Sequence, residues 1–206
     1  MKKLIRALLP AGLRLRVYGL RHPEYRLQQK IHGTARPALE AFLEDAARST
    51  RFSGIMLEVG AGGRVVNRDR FSAPGLLYLR TDIVSNATVP PHLVSDLTRL
   101  PFRTASVDAL VCSEVLEHIP HTHDAVAELH RVIRPGGDLL LTVPFFYPIH
   151  EAVPDEGDFW RFTPAALRHL FQDGFDLVEE RRAHLFFPGD AFVVNVAMWW
   201  RRRESR

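Results

Sequence analysis

The sequence predicts an α/β domain built on an open, mostly parallel sheet, and three observations carry that expectation. Short apolar runs alternate with helical patterns along most of the 206 residues. Several of these runs are apolar nearly throughout, as parallel strands covered on both faces must be. The first, IMLEV at 55–59, leads straight into Gly60, Ala61, Gly62 and Gly63, and such a turn lets bare backbone approach a nucleotide. The length suits one compact domain, and 46% hydrophobic with 25% charged residues is ordinary for a globular chain.

The elements follow in order. Residues 1–36 hold nine Lys or Arg against one acid, Glu24, a net +8 that leaves −5 for the rest of a chain whose total is +3. We read 1–36 as a basic leader or cap and 37–206 as the α/β domain. The leader fits a solvated face on a capping helix, or a surface for anionic lipid, phosphate or nucleic acid. MWWRRR at 198–203 repeats the aromatic-plus-basic theme, which supports a membrane surface if both termini share a face. Residues 36–47 have helical spacing with Pro37 suited to a first turn. Strands are expected at 55–59, 76–81, 92–95, 107–113 and 138–145. VVNRDRFSAPG, after the first strand, is a poor helix that Pro74 and Gly75 end early. Between the fourth and fifth strands, 122–133 is an amphipathic helix stopped by RPGG at 134–137, which makes a βαβ unit. Thr163 with Pro164 behind it opens a helix to about Gln172, and 175–182 with 191–200 form an antiparallel pair finishing the sheet.

Ligands of such sheets sit beyond the carboxyl ends of the strands. The NAD-type fingerprint needs glycines at its first, third and sixth positions, and counting from Gly60 the sixth is Val65. That spacing excludes it. What stands at the strand ends instead is a series of acids: Glu58, Asp82 at 22 residues beyond Gly60, Asp96 followed by Leu97, and Glu114 within Ser113-Glu114-Val115. An acid-lined crevice favours a cationic ligand by Coulomb attraction in a partly dry cleft.

The set as a whole, an acid two before the first glycine, AspLeu followed by LeuProPhe, VDALVCSEVLEHIP and IRPGG, resembles the class I S-adenosylmethionine-dependent methyltransferases of the type 11 kind. The resemblance spans about Ile55 to Gly174. It implies a Rossmann-like, mostly parallel seven-stranded sheet with an antiparallel last strand and helices on both faces. It also implies S-adenosyl-L-methionine as cofactor. Gly60, Ala61 and Gly62 would then face the methionine part, with Glu58 toward its amino group; Asp82, with Ile83 beside it, would take the ribose hydroxyls. Asp96 and Leu97 would meet the adenine, and Ser113, Glu114 and Val115 would line the methionine side. One departure stands out: Gly63 comes a position early and Arg64 occupies the place of the family's third glycine, so that Arg64 is a candidate partner for the methionine carboxylate or a sign of lost turnover.

VPFFYPIHEAVPDEGDFWRFTP at 143–164 is similar to a segment of bacterial members found among polysaccharide and glycolipid biosynthesis enzymes. Its aromatics suit a flat acceptor or a sugar face. His150 is either the general base for an acceptor hydroxyl or a brace on Asp155 or Asp158, and Arg161 is expected to pair with one of those acids. His118, His121 and His123 sit in a family segment and an exposed turn, so no metal site is expected. Cys112, the single cysteine, is expected to be a buried strand residue, in keeping with a reducing cytoplasm. The expected activity is O-methylation of a small-molecule, sugar or lipid-linked acceptor in the cytoplasm, with peripheral contact of the basic leader at the inner membrane face. A catalytically inactive cofactor-binding protein and an RNA methyltransferase are the alternatives. The absence of an NPPY-like base-flipping tetrapeptide argues against nucleic acid.

Overall fold

Seven strands form one sheet: β1 (Gly54–Val59), β2 (Leu76–Asp82), β3 (Leu93–Val94), β4 (Val107–Ser113), β5 (Ile133–Pro144), β6 (Phe175–Phe187) and β7 (Asp190–Arg202), in the order β3-β2-β1-β4-β5-β7-β6. The computed structural model describes residues 23–50, 52–62, 66–85, 89–149, 157–188 and 190–204. Strands β1 to β5 pair in parallel, and β7 runs antiparallel to both β5 and β6. So β7 alone is reversed, as expected from its sequence. The chain moves outward from β1 through β2 to β3, then returns to place β4 on the other side of β1. That reversal opens a crevice at the carboxyl ends of β1 and β4.

Alternation along the central strands sorts side chains onto two faces. Leu57, Leu110, Cys112, Leu139 and Leu141 pack with Leu129, Leu167 and Phe171 from α3 (Thr122–Val132) and α4 (Pro164–Phe171). Met56, Ala109, Val111, Leu140 and Trp199 face the other way, onto Leu39, Phe42, Leu43 and Ala46 of α1 (Pro23–Ser49). Thr163 caps α4 by accepting from the Ala166 N–H at 3.1 Å. The poor helix after β1 is five residues, α2 (Val66–Arg70). Cys112 is fully buried, and that burial pushes its thiol far up, which makes it inert.

Three local expectations are corrected. Pro37 does not start a helix; it lies inside α1, which runs back to Pro23. The residue four before it is Gly33, whose carbonyl loses the N–H donor that proline lacks. Ile31 and Ala35 bury against Ala183, Leu185 and Val194, so packing on β6 and β7 extends the helix across the 36/37 boundary. RPGG does stop α3, but β5 begins at Ile133 and not at 138. Ile133 pairs with Val107 and Asp138 with Ala109, so residues 134–137 bulge outward within β5. MWWRRR is not a surface motif: Trp199 and Trp200 are buried, and Arg201 and Arg203 pair with Asp138 and Asp176. It ends β7 at the edge of the sheet opposite the crevice. No helix among the described residues is long and apolar enough to cross a membrane.

Candidate functional site

Two adjoining cavities occupy the crevice. The larger, about 440 Å³, is lined by Gly60, Gly62, Asp82, Ile83, Asp96, Leu97, Glu114 and Val115 among others. The smaller, about 250 Å³, is lined by Glu58, Ala61, Ser113, Asn67, Arg70 and, from α1, Arg36 and Glu40. Val59, Gly60, Gly62 and Glu114 border both. All eleven residues expected to hold a cofactor therefore line one connected crevice. Its size is that of a small-ligand site.

The glycine turn is held from below. Arg80, 2% exposed in β2, donates from Nη2 to the carbonyls of Ala61 at 3.2 Å and Gly62 at 2.9 Å. Its Nε lies 3.5 Å from Glu58 Oε2, and Glu58 Oε1 accepts from Asn67 Nδ2 at 2.6 Å. Burial raises the Glu58 carboxyl above the ordinary carboxylate range, opposed by Asn67 and Arg80. Both Glu58 oxygens thus face protein groups, and its first role is to brace the turn. Asp82 accepts the Gly62 N–H at 2.7 Å and the Val84 N–H at 3.2 Å, at the mouth of the larger cavity. Asp96 caps the turn at Leu97–Arg99, accepting from Thr98 N at 2.8 Å. The Leu97 side chain is in the core, so what it offers the cavity is backbone.

Glu114 stands where the cavities meet. It is a non-glycine residue with φ +56°, a conformation that costs about 1–3 kcal/mol and is kept mainly at functional sites. Thr142 Oγ1 donates to its Oε1 at 2.9 Å and Asn195 Nδ2 to its Oε2 at 3.0 Å. With the Thr142 hydrogen committed there, Ser113 Oγ donates to Thr142 Oγ1 at 2.8 Å. Burial raises the Glu114 carboxyl, opposed by Asn195 and Thr142 and by the cations Arg36 and Arg161. Arg161 does pair with an acid, Asp158, at 2.6 Å, and also donates to the carbonyls of Tyr147 and Pro148. His150, Asp155 and Arg64 lie outside the described residues.

Glu117 behaves differently. It is fully buried, and among the described residues neither carboxylate oxygen has a hydrogen-bond partner, although His118 Nε2 stands 3.7 Å from Oε1. Desolvation first, then the charge of Glu114, hold it well above its ordinary value of 4.5. Because the folded state keeps a proton that the unfolded chain releases, stability is greatest below 4.5 and falls as pH rises toward the folded value. Glu117→Gln stays neutral and is expected to lose that slope. Urea unfolding at about pH 5 and about pH 8 checks this, the variant gaining on the parent by about 1–3 kcal/mol at the higher pH.

Arg80, Asn67, Thr142 and Asn195 were not among the expected site residues. Their signal is a polar residue interrupting an apolar run, as in LLYLRT, LLLTVP and VVNVAMWW.

Residues 56–141 match the model of the methyltransferase domain family. The ubiquinone/menaquinone biosynthesis C-methyltransferase of Bordetella parapertussis is 34% identical over 107 residues, 52% of this chain and 32% of that protein. The chain spans about a third or less of the length of the curated relatives it matches first. Among solved structures, the Burkholderia thailandensis 1,6-didemethyltoxoflavin-N1-methyltransferase superposes with a TM-score of 0.62 at 18% identity, covering 94% of this chain and 89% of that one. The N-methyltransferase NodS of Bradyrhizobium japonicum, complexed with S-adenosylhomocysteine, gives 0.61 at 15%, covering 82% and 87%. At these identities the likeness is one of fold.

Proposed function

We propose that this chain, which carries a methyltransferase-family segment over residues 56–141 in the class I methyltransferase fold, transfers a methyl group from S-adenosylmethionine to an oxygen of a small-molecule, sugar or lipid-linked acceptor. The observation that carries the reading is the joint lining of one crevice by the glycine turn and by acids from the ends of successive strands. The residues present fit the cofactor. Gly60 lies so close to Val115 that a Cβ there would stand 2.2 Å from Val115 Cγ2, which leaves bare backbone facing the crevice. Asp82 presents a carboxylate for ribose hydroxyls, and Asp96 with the Leu97 backbone would meet the adenine. Glu114 offers negative charge at the junction, with Arg36 and Arg70 available to a carboxylate in the smaller cavity.

Bound S-adenosylmethionine supplies an electrophilic methyl group. The protein's part is to orient an acceptor oxygen toward it, exclude water and take a proton. His150 is the candidate base, and unchanged turnover in His150→Ala would remove it. An acceptor bearing a flat or sugar face would meet Phe145, Phe146 and Tyr147 after β5.

Calorimetric titration with S-adenosylhomocysteine tests the cofactor reading. The parent is expected to bind, and Asp82→Ala to bind about a hundredfold more weakly, the loss of two charge-assisted hydrogen bonds. No binding by the parent overturns the proposal. Binding without methyl transfer to a broad acceptor panel would instead favour the inactive, cofactor-sensing alternative. An RNA acceptor is a second reading, favoured by the +8 charge of residues 1–36 and by a tRNA methyltransferase of Arabidopsis thaliana 30% identical over 117 residues. Salt-sensitive RNA binding lost on deleting 1–36 would support it.

A further inference from the structure

Glu114 is a carboxylate without a cation of its own. Its oxygens accept from Thr142 and Asn195, which are both neutral donors. The cations that act on it are Arg36 on α1 and Arg161 just before α4. Each is committed to another carboxylate, Arg36 to Glu40 at 2.7 Å and Arg161 to Asp158 at 2.6 Å. Glu58, across the glycine turn, has Arg80 at 3.5 Å, whereas among the described residues no ion pair reaches Glu114. A carboxylate withdrawn from bulk water is ordinarily matched by a positive charge. Here the protein does not supply one.

The surroundings lean the same way. Asn195 is 1% exposed, and its Oδ1, on the amide that donates to Glu114, has no hydrogen-bond partner among the described residues. Glu117 is held neutral by desolvation and then by the charge of Glu114, so it adds an apolar-like wall and no second charge. Burial first, and then Glu114, push the Tyr147 hydroxyl up; burial, Glu117 and Glu114 do the same to the Cys112 thiol. Both stay neutral. The left-handed backbone of Glu114 holds this lone charge where the two cavities meet.

That position matters because the cofactor has two halves joined at sulfur. With the methionine part in the smaller cavity and the adenosine part in the larger, the sulfonium centre belongs at their shared border. Val59, Gly60, Gly62 and Glu114 form that border, and of these only Glu114 ionises. Asp82 and Asp96 border the larger cavity alone.

We propose that Glu114 is the counter-charge by which this crevice distinguishes S-adenosylmethionine from S-adenosylhomocysteine, its carboxylate favouring the sulfonium cation and gaining nothing from the neutral thioether. The proposal rests on the cofactor reading above and adds to it a basis for release of the spent cofactor. Both molecules carry the same adenosine, amino and carboxylate groups, so contacts with those groups cancel in the comparison. One methyl group and one positive charge remain. A cation beside Glu114 favours its ionised form, and burial has raised it above the ordinary carboxylate range. The preference for S-adenosylmethionine is therefore small where Glu114 is protonated and grows as pH rises through its folded value.

The test is calorimetric titration of the full chain with each molecule from about pH 5 to about pH 8, with no acceptor present. In the parent, S-adenosylmethionine is expected to bind about tenfold more tightly than S-adenosylhomocysteine at the upper end, the ratio shrinking toward one at the lower end. Glu114→Gln removes the charge, and Asn195, turned over, can accept from the new amide. This variant is expected to lose about tenfold on S-adenosylmethionine, to change by less than about twofold on S-adenosylhomocysteine, and to show a ratio independent of pH. A parent whose ratio does not move with pH overturns the proposal without any variant. A Glu114→Gln variant that weakens both molecules equally also overturns it, and would make Glu114 a brace of the wall. In both of those cases the parent still binds, and the cofactor reading stands. A parent that binds neither molecule overturns that reading and the proposal together.

Discussion

Replacing Arg80 with alanine is expected to lower the unfolding free energy by about 3–5 kcal/mol, the cost of removing one partner from a buried ion pair. Several groups are stranded at once: the Ala61, Gly62 and Pro90 carbonyls lose a donor, and the Glu58 carboxylate, which is 5% exposed, loses its cation. Glu58 is already raised by burial, and without the guanidinium it goes higher still, since Arg80 is among the groups that lower it. A shift in Tm of about 10 °C is the expected readout. Arg80→Lys recovers little, because a point charge cannot span two carbonyls and a carboxylate in the way a planar fork does. The double variant Glu58→Gln/Arg80→Met separates the causes: if the uncompensated carboxylate dominates, it is more stable than Arg80→Ala alone. S-adenosylhomocysteine binding should fall in both variants, because each frees the turn that lines the crevice. Full-strength binding in Arg80→Ala would mean that Asp82, through the Gly62 N–H, suffices to hold the turn.

What could be read beforehand followed from residue type at strand ends. Asp82, Asp96 and Glu114 each stand where an apolar run stops, and in a parallel sheet those positions must converge on one edge. The switch between β1 and β4 follows from the same alternation. Arg80 was harder, because a single polar residue near the end of a strand also describes a solvent-facing position, and only the turn arriving above it from β1 shows otherwise. Thr142 and Asn195 were hidden by distance: they lie 53 residues apart and meet through the β5–β7 pairing, on the carboxylate of Glu114 just after β4. Pro37 was misplaced because its local signal is identical at the start of a helix and inside one. What decides is the burial of Ile31 and Ala35 by a hairpin some 150 residues later.

Gly60→Val is expected to be the most damaging change in the crevice, and two separable causes produce it. The residue has φ +64°, a left-handed conformation that a β-branched side chain resists by about 1–2 kcal/mol or more. A Cβ there would also stand 2.2 Å from Val115 Cγ2 and 3.3 Å from Val115 Cβ, so Val115 would have to move. Val115 packs against the core and lines the larger cavity, and its displacement would carry the start of the Leu116–His118 turn with it. Overpacking adds about 1–3 kcal/mol, so a total loss of about 2–5 kcal/mol is expected in urea unfolding, with S-adenosylhomocysteine binding lost at any practical concentration. Gly62→Ala is the control for conformation alone. Its φ is +55°, but among the described residues nothing lies within 4 Å of the added Cβ, and about 1 kcal/mol is the expected cost. Gly60→Ala/Val115→Ala then removes the overlap and keeps the strain. If close approach of backbone to side chain is what the turn requires, this double variant regains most of the stability that Gly60→Ala loses; if it regains none, the left-handed turn itself is the constraint.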